Sequence, residues 1–203
     1  MEKEENAFVK AEEELLKFIR PKVPKKTYRE FEEILVIEFI SVTGGVLAGA
    51  LLAYFLDKIA LIPGLLIFLP GFLAMRGNIS GSLAARVGEA LHLGLLKHKK
   101  HRYFFHANNW AAFTLGVLVS LFLSIVAYLG TLWFFKVNAP QIIAIALIAG
   151  IISNILMIPL TSRVAVWLFR HGYDPDNIMG PYITTVGDVI SVAALIIAIL
   201  VVP

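Results

Sequence analysis

The apolar runs of this chain, such as Ile178 to Val202, reach the ~20 residues that a helix needs to cross a hydrocarbon core of ~30 Å, and such runs recur along the sequence. In that environment a backbone satisfies its own N–H and C=O groups only as a helix or as a closed barrel. The runs lack the polar–apolar alternation of barrel strands, so helices are expected. The chain therefore reads as an all-α integral membrane protein. Composition agrees: 58% of the residues are hydrophobic and the mean hydropathy is +0.78, far above a water-soluble domain.

Five transmembrane helices are predicted: roughly Ile34 to Phe55, Ile59 to Gly94, Asn108 to Phe135, Pro140 to Phe169 and Ile178 to Val202. Basic residues cluster before the first (Lys22, Lys25, Lys26, Arg29), after the second (Lys97, Lys99, Lys100, Arg102) and at the end of the fourth (Arg163, Arg170). Lys58 and Lys136 alone fall on the other side, so the positive-inside rule puts the N-terminus in the cytoplasm and the C-terminus outside the cell membrane. Residues 1–33 read as a cytoplasmic segment whose "AFVKAEEELLKFI" forms a short amphipathic helix, not a signal peptide, and residues 34–203 as a transmembrane domain. The net charge of +3 is small and its basic residues sit at membrane edges, so a nucleic-acid partner is not expected; lipid is. Cysteine is absent, which excludes disulfides and thiolate chemistry.

The second segment, "IPGLLIFLPGFLAMRGNISGSLAARVGEALHLG", is expected to be a broken helix. Pro63, Pro70, Gly71, Gly77 and Gly81 weaken regular helix, and Arg76, Asn78, Ser80, Ser82 and Arg86 are costly to give to lipid. Such a segment belongs inside a bundle or beside a water-filled path.

The last span poses a sharper question. Asp188, ~15 Å from the start of the span at Ile178 by helical rise, falls near the membrane midplane. A carboxylate there costs roughly 2.5–3.5 kcal/mol, so a cation, water or a partner side chain must compensate it. Helical spacing gathers Pro181, Thr184, Thr185, Asp188 and Ser191 into one polar stripe able to line a wet path. Oxygen ligands alone favour a hard cation. One carboxylate per chain is thin for a divalent ion, and a twofold axis would bring two together in a homodimer. Gly45 with Gly49, and Gly77 with Gly81, form GxxxG pairs that allow close helix approach.

"DPDNIMGPYITTVGD" resembles the start of the last transmembrane helix of MgtE-type magnesium channels: Asp174, Pro175, Gly180, Pro181, Thr184, Thr185 and Asp188 fall in step with that family's pattern. "PGFLAMRGNISGSLAARVGEALHLG" is similar to the second-helix signature of the same family and of its eukaryotic solute-carrier relatives, through Pro70, Gly77, Asn78, Arg86, Ala90 and Gly94. The resemblance implies a homodimer whose second and fifth helices line a central pore for Mg²⁺, with Mn²⁺, Co²⁺ or Ni²⁺ as further candidates. It makes Asp188 the ion-site carboxylate, places Thr184 where a backbone carbonyl faces the pore, and makes Asn78 a pore-wall amide. Ser82 departs from the glutamine common in the bacterial channels, and Arg76-Gly77 is closer to the solute-carrier form than to the bacterial double glycine.

Two rival readings stand beside it. A Na⁺-coupled Mg²⁺ exchanger of the same fold would use Glu38 of the first span as a coupling carboxylate. An intramembrane metalloenzyme would use the ExxH pair Glu89 and His92, with Glu38 as a possible third ligand. The transport reading predicts no catalytic residue.

Overall fold

A computed structural model describes residues 25–97 and 101–202. The chain divides into two units, Met1–Glu33 and Ile34–Pro203. Of the first, the described part is the opening of a helix, where Arg29 Nε donates to Glu33 Oε1 one turn on, at 2.9 Å. The expected amphipathic helix over "AFVKAEEELLKFI" lies outside the described residues.

The described chain is helical throughout: α1 (Lys25–Tyr54), the short α2 (Leu56–Ala60), α3 (Pro63–His92), α4 (His101–Gly130), α5 (Gln141–Arg170) and α6 (Pro175–Val201). One 3₁₀ turn, Leu95–Lys97, follows α3, and a π turn, Thr131–Phe135, closes α4. Among the described residues, four helical stretches are long and apolar enough to cross a membrane: Thr27–Tyr54, His101–Phe135, Gln141–Arg170 and Pro175–Val201. The second predicted span, now α3, is as long as α5 at 30 residues but falls outside that set because Arg76, Asn78, Arg86 and Glu89 interrupt its apolar sequence.

The break expected within that span is absent. α3 is continuous through Pro70, Gly71, Gly77 and Gly81. Where water is missing, each backbone group outside a helix goes unsatisfied, so helix persists across residues that would end it in water, and neighbouring helices cover the single bond that Pro70 forfeits. The interruption lies earlier, at Leu61 and Ile62, where Ile62 takes an extended conformation and Pro63 opens α3 at a position that needs no N–H partner.

α3 occupies the middle of the second unit, packed against α4, α5 and α6. Its Leu65, Phe68, Phe72, Leu83 and Val87 are fully buried, with Ile142, Ile145 and Met157 of α5 and Leu195 of α6. Since lipid tails are as apolar as leucine, close packing rather than water exclusion holds such helices together. Small residues make the approach possible: a Cβ at Gly64 would overlap Ile142 and Thr131, one at Gly150 would overlap Ser120, and one at Gly116 would overlap Asn154. The GxxxG pairs behave otherwise. A Cβ added at Gly45, Gly49, Gly77 or Gly81 would meet nothing within 4 Å, whereas their neighbour Gly44 is the glycine that abuts Thr185. From Ile34 onward α1 buries only Ser41, Gly44 and Ala48, a single face.

Candidate functional site

Asp188 and Arg76 meet in the seam between α6 and α3. Arg76 Nη2 donates to Asp188 Oδ1 at 2.6 Å, and Nη1 donates to the carbonyl of Ile183 at 2.9 Å. The arginine side chain is 2% exposed and the aspartate 25%. Gly187 makes room for this pair, because any Cβ there would overlap Arg76 Nη1. Arg76 Nε has no partner among the described residues. Each charge is therefore compensated by the other, which resolves how α6 carries a carboxylate in mid-span and how α3 carries a buried guanidinium.

The carboxylate opens onto a recess of about 470 Å³ whose walls include Gly77, Asn78 and Gly81 of α3 with Gly180, Thr184 and Asp188 of α6. Of the predicted ion ligands, Asp188, Thr184 and Asn78 are thus brought together. Thr184 Oγ1 donates to the Gly180 carbonyl, so its hydroxyl remains on the wall as an acceptor. Asn78 also lines a second recess of about 190 Å³ between α3 and α4, shared with Ser82 and Arg86, and Ser82 belongs to that one.

The polar stripe expected along α6 divides into three. Thr184 and Asp188 face the recess. Thr185 Oγ1 instead lies 2.8 Å from Ser41 Oγ of α1, and Ser41 Oγ donates in turn to the carbonyl of Pro181 at 3.2 Å. Ser191 is fully buried and shares a hydrogen bond of 3.2 Å with Ser153 of α5. A helix face spans about 100° per residue, so five residues spread over eleven positions address three neighbours once those neighbours are close.

Asp174 lies at the start of α6, where its side chain accepts from the Asp176 N–H at 3.0 Å and Pro175 follows at the first helical position. The Asp-Pro part of the motif is a helix start. Asp174 Oδ1 also lies 3.3 Å from His92 Nε2 at the end of α3, with Asp176 Oδ2 3.8 Å from the same nitrogen. His92 thus turns toward two aspartates and not into an ExxH pair with Glu89, which is exposed, as is Glu38 on α1.

The residue to which sequence reading gives no role at the site is Arg76, which stands there as costly to lipid and as half of the Arg76-Gly77 pair. A signal was present: one guanidinium and one carboxylate, each inside an apolar segment that cannot solvate it, are each other's cheapest partners.

Four described helices of membrane-spanning length make this a multi-pass membrane protein, with an ion pair and a polar recess at the seam between α3 and α6. The comparisons with known proteins specify it further. The MgtE family pattern, described as a divalent cation transporter, matches residues 69–198, and the chain belongs to that family. It is 25% identical to solute carrier family 41 member 2 of Macaca fascicularis over 207 residues, covering 96% of this chain and 35% of the relative. The human protein of that name is 25% identical over 196 residues (91% and 34%), and mouse solute carrier family 41 member 3 is 26% identical over 159 residues (73% and 32%). The chain thus spans about a third of the length of these curated relatives. No solved structure matches. The family is one of transporters and not of enzymes, which removes the metalloenzyme reading.

Proposed function

We propose that this chain carries Mg²⁺ across the cell membrane as a homodimer, along a path walled by α3 and α6, with Asp188, Thr184 and Asn78 as the ion site. The observation that carries the reading is the family aspartate, Asp188, standing at a recess between the two helices that hold the family's motifs. On this reading α3 also crosses the membrane and brings the number of spans to five. At ~1.5 Å per residue its length is ample, and pairing with Asp188 removes most of the cost of placing Arg76 in the membrane. The N-terminus is cytoplasmic and the C-terminus outside. Gly77 and Gly81, open toward the same recess, offer α3 a smooth surface on which a second copy fits.

Arg76 changes the electrostatics expected of such a site. Two aspartates on a twofold axis would present a charge of −2; two Asp188–Arg76 pairs present none. A divalent cation must then share Asp188 with the guanidinium or displace it. That lowers affinity, and a transported ion has to leave as readily as it enters. Because Mg²⁺ gives up water reluctantly and the other recess oxygens are neutral, the carboxylate acts largely through bound water.

Mg²⁺ uptake into proteoliposomes, compared between the wild type and Asp188→Asn, tests the reading: uptake is expected only for the wild type. Repeating it with and without a Na⁺ gradient separates a channel, which is indifferent, from a coupled exchanger, which is not. Since the chain has no cysteine, Gly81→Cys gives a clean assay of assembly. Crosslinking between copies is expected at Gly81→Cys and not at Leu118→Cys on the exposed side of α4; the reverse pattern would remove the central path.

A further inference from the structure

We infer that the cleft between α4 and α5, at the end of the bundle where α5 stops, binds an anionic phospholipid. This inference is independent of the ion site. The cleft is a recess of about 550 Å³ whose wall carries Asn109 of α4 and Ser162, Arg163, Trp167, Arg170 and His171 at the end of α5. Arg163, Trp167 and Arg170 follow one another at spacings of four and three, so one face of α5 presents two guanidinium groups with an indole between them. No carboxylate is among the described residues of the wall, so its charge is uncompensated.

The remaining polar groups are arranged to donate. Ser162 Oγ donates to Asn109 Oδ1 at 2.8 Å, which orients that amide and leaves its NH₂ group with no acceptor among the described residues. His171 Nδ1 lies 2.7 Å from the Trp167 carbonyl; a carbonyl only accepts, so Nδ1 carries the proton and the ring is held against the Trp167 indole, centroids 4.4 Å apart. Guanidinium forks beside amide donors fit phosphate oxygens.

The shape of the cleft decides between a free anion and a lipid. A second recess of about 400 Å³ adjoins the first, sharing Asn109 and Pro159, and continues between the same helices past Trp110, Phe113, Ile155 and Ile158. Trp110 and Ile155 are exposed, on a side of the unit that would meet hydrocarbon. A cationic mouth leading into an apolar slot fits a phosphate with an acyl chain attached, and has no use for inorganic phosphate alone.

The test uses the full chain purified in a zwitterionic detergent. Native mass spectrometry with added phosphatidylglycerol or phosphatidylcholine should show preferential retention of phosphatidylglycerol. Arg163→Gln with Arg170→Gln, both at exposed positions, should weaken that retention by about 30-fold, as expected for two basic side chains at an anionic headgroup. Arg102→Gln, exposed on α4 but outside the cleft, should not. In a chain whose Trp133 is changed to Phe, brominated phosphatidylglycerol should quench Trp110 and Trp167, which both lie on the cleft, and inorganic phosphate should not relieve the quenching. Equal retention of both lipids, equal loss with Arg102→Gln, or displacement of the lipid by inorganic phosphate would each overturn the inference.

Discussion

Two of the polar seams in this bundle, α4–α5 and α3–α6, are built from different chemistry. Between α4 and α5 the polar groups are neutral and compact: Ser120 and Asn154 sit close against Gly150 and Gly116, and Ser162 donates to Asn109. Between α3 and α6 the mid-helix contact is charged, Arg76 with Asp188, and at the end of the seam His92 approaches Asp174. Hydroxyls and amides hold membrane helices together at little risk, because losing one contact strands only a weakly polar group, typically worth ~0.6 kcal/mol. A buried guanidinium and carboxylate are a costlier means to the same end, since each must be desolvated. A chain that needed only adhesion between α3 and α6 had the cheaper chemistry already in use one seam away. The charged seam is therefore where function is expected.

That contrast is broken most severely at Asp188. Asp188→Ala leaves Arg76 buried without its carboxylate, and divalent uptake in proteoliposomes is expected to vanish while thermal unfolding in detergent reports a loss of about 3 kcal/mol. Transport at the wild-type rate would demote the charged seam to a structural one. Next comes Arg76→Gln. If the guanidinium competes with the cation, removing it should lower the Mg²⁺ concentration for half-maximal uptake by about tenfold, equivalent to ~1.4 kcal/mol. Combining Arg76→Gln with Asp188→Asn should return most of the stability and none of the transport, which separates the electrostatic role from folding. A half-saturation that rises in Arg76→Gln would mean the arginine assists the ion.

Gly187→Ala is expected to be milder. Its Cβ would displace Arg76 Nη1, so a stability loss of about 1–3 kcal/mol and a several-fold drop in uptake should appear together. A fall in one without the other would show that the guanidinium position and the transport rate are separable. The smallest effect belongs to the neutral contacts. Ser191→Ala removes only the bond to Ser153 and should change stability by about 0.6 kcal/mol and uptake not at all. A clear uptake defect there would return Ser191 to the pathway and show that neutral contacts of α6 carry function as well as the charged one.

The comparison also shows which parts of the site were legible beforehand. Asp188 and Thr184 lie one turn apart, and helical periodicity alone sets such neighbours on one face. Asn78, on another helix, was legible as a polar residue too costly for lipid, but its place beside the ion came only through the resemblance to a family motif. Ser191 and Thr185 looked equivalent to Thr184 along the helix, yet one faces α5 and the other α1. The break expected in the middle of the second span, from its prolines and glycines, is absent because those residues act differently in lipid than in water: the scarcity of alternative hydrogen-bond partners keeps α3 intact.

Sequence alone determined that this chain is helical and membrane-bound, since apolar runs of spanning length leave the backbone no other way to satisfy its polar groups. It also determined the start of α6, because an aspartate cap followed by proline is local chemistry needing no neighbour. The tertiary structure decided which charge meets which. Arg76 and Asp188 are 112 positions apart, and nothing local relates them; they pair because α3 and α6 pack side by side and Gly187 leaves the space the guanidinium fills. The charge state of the candidate ion site is a property of that packing, arising from a long-range contact that no single helix encodes.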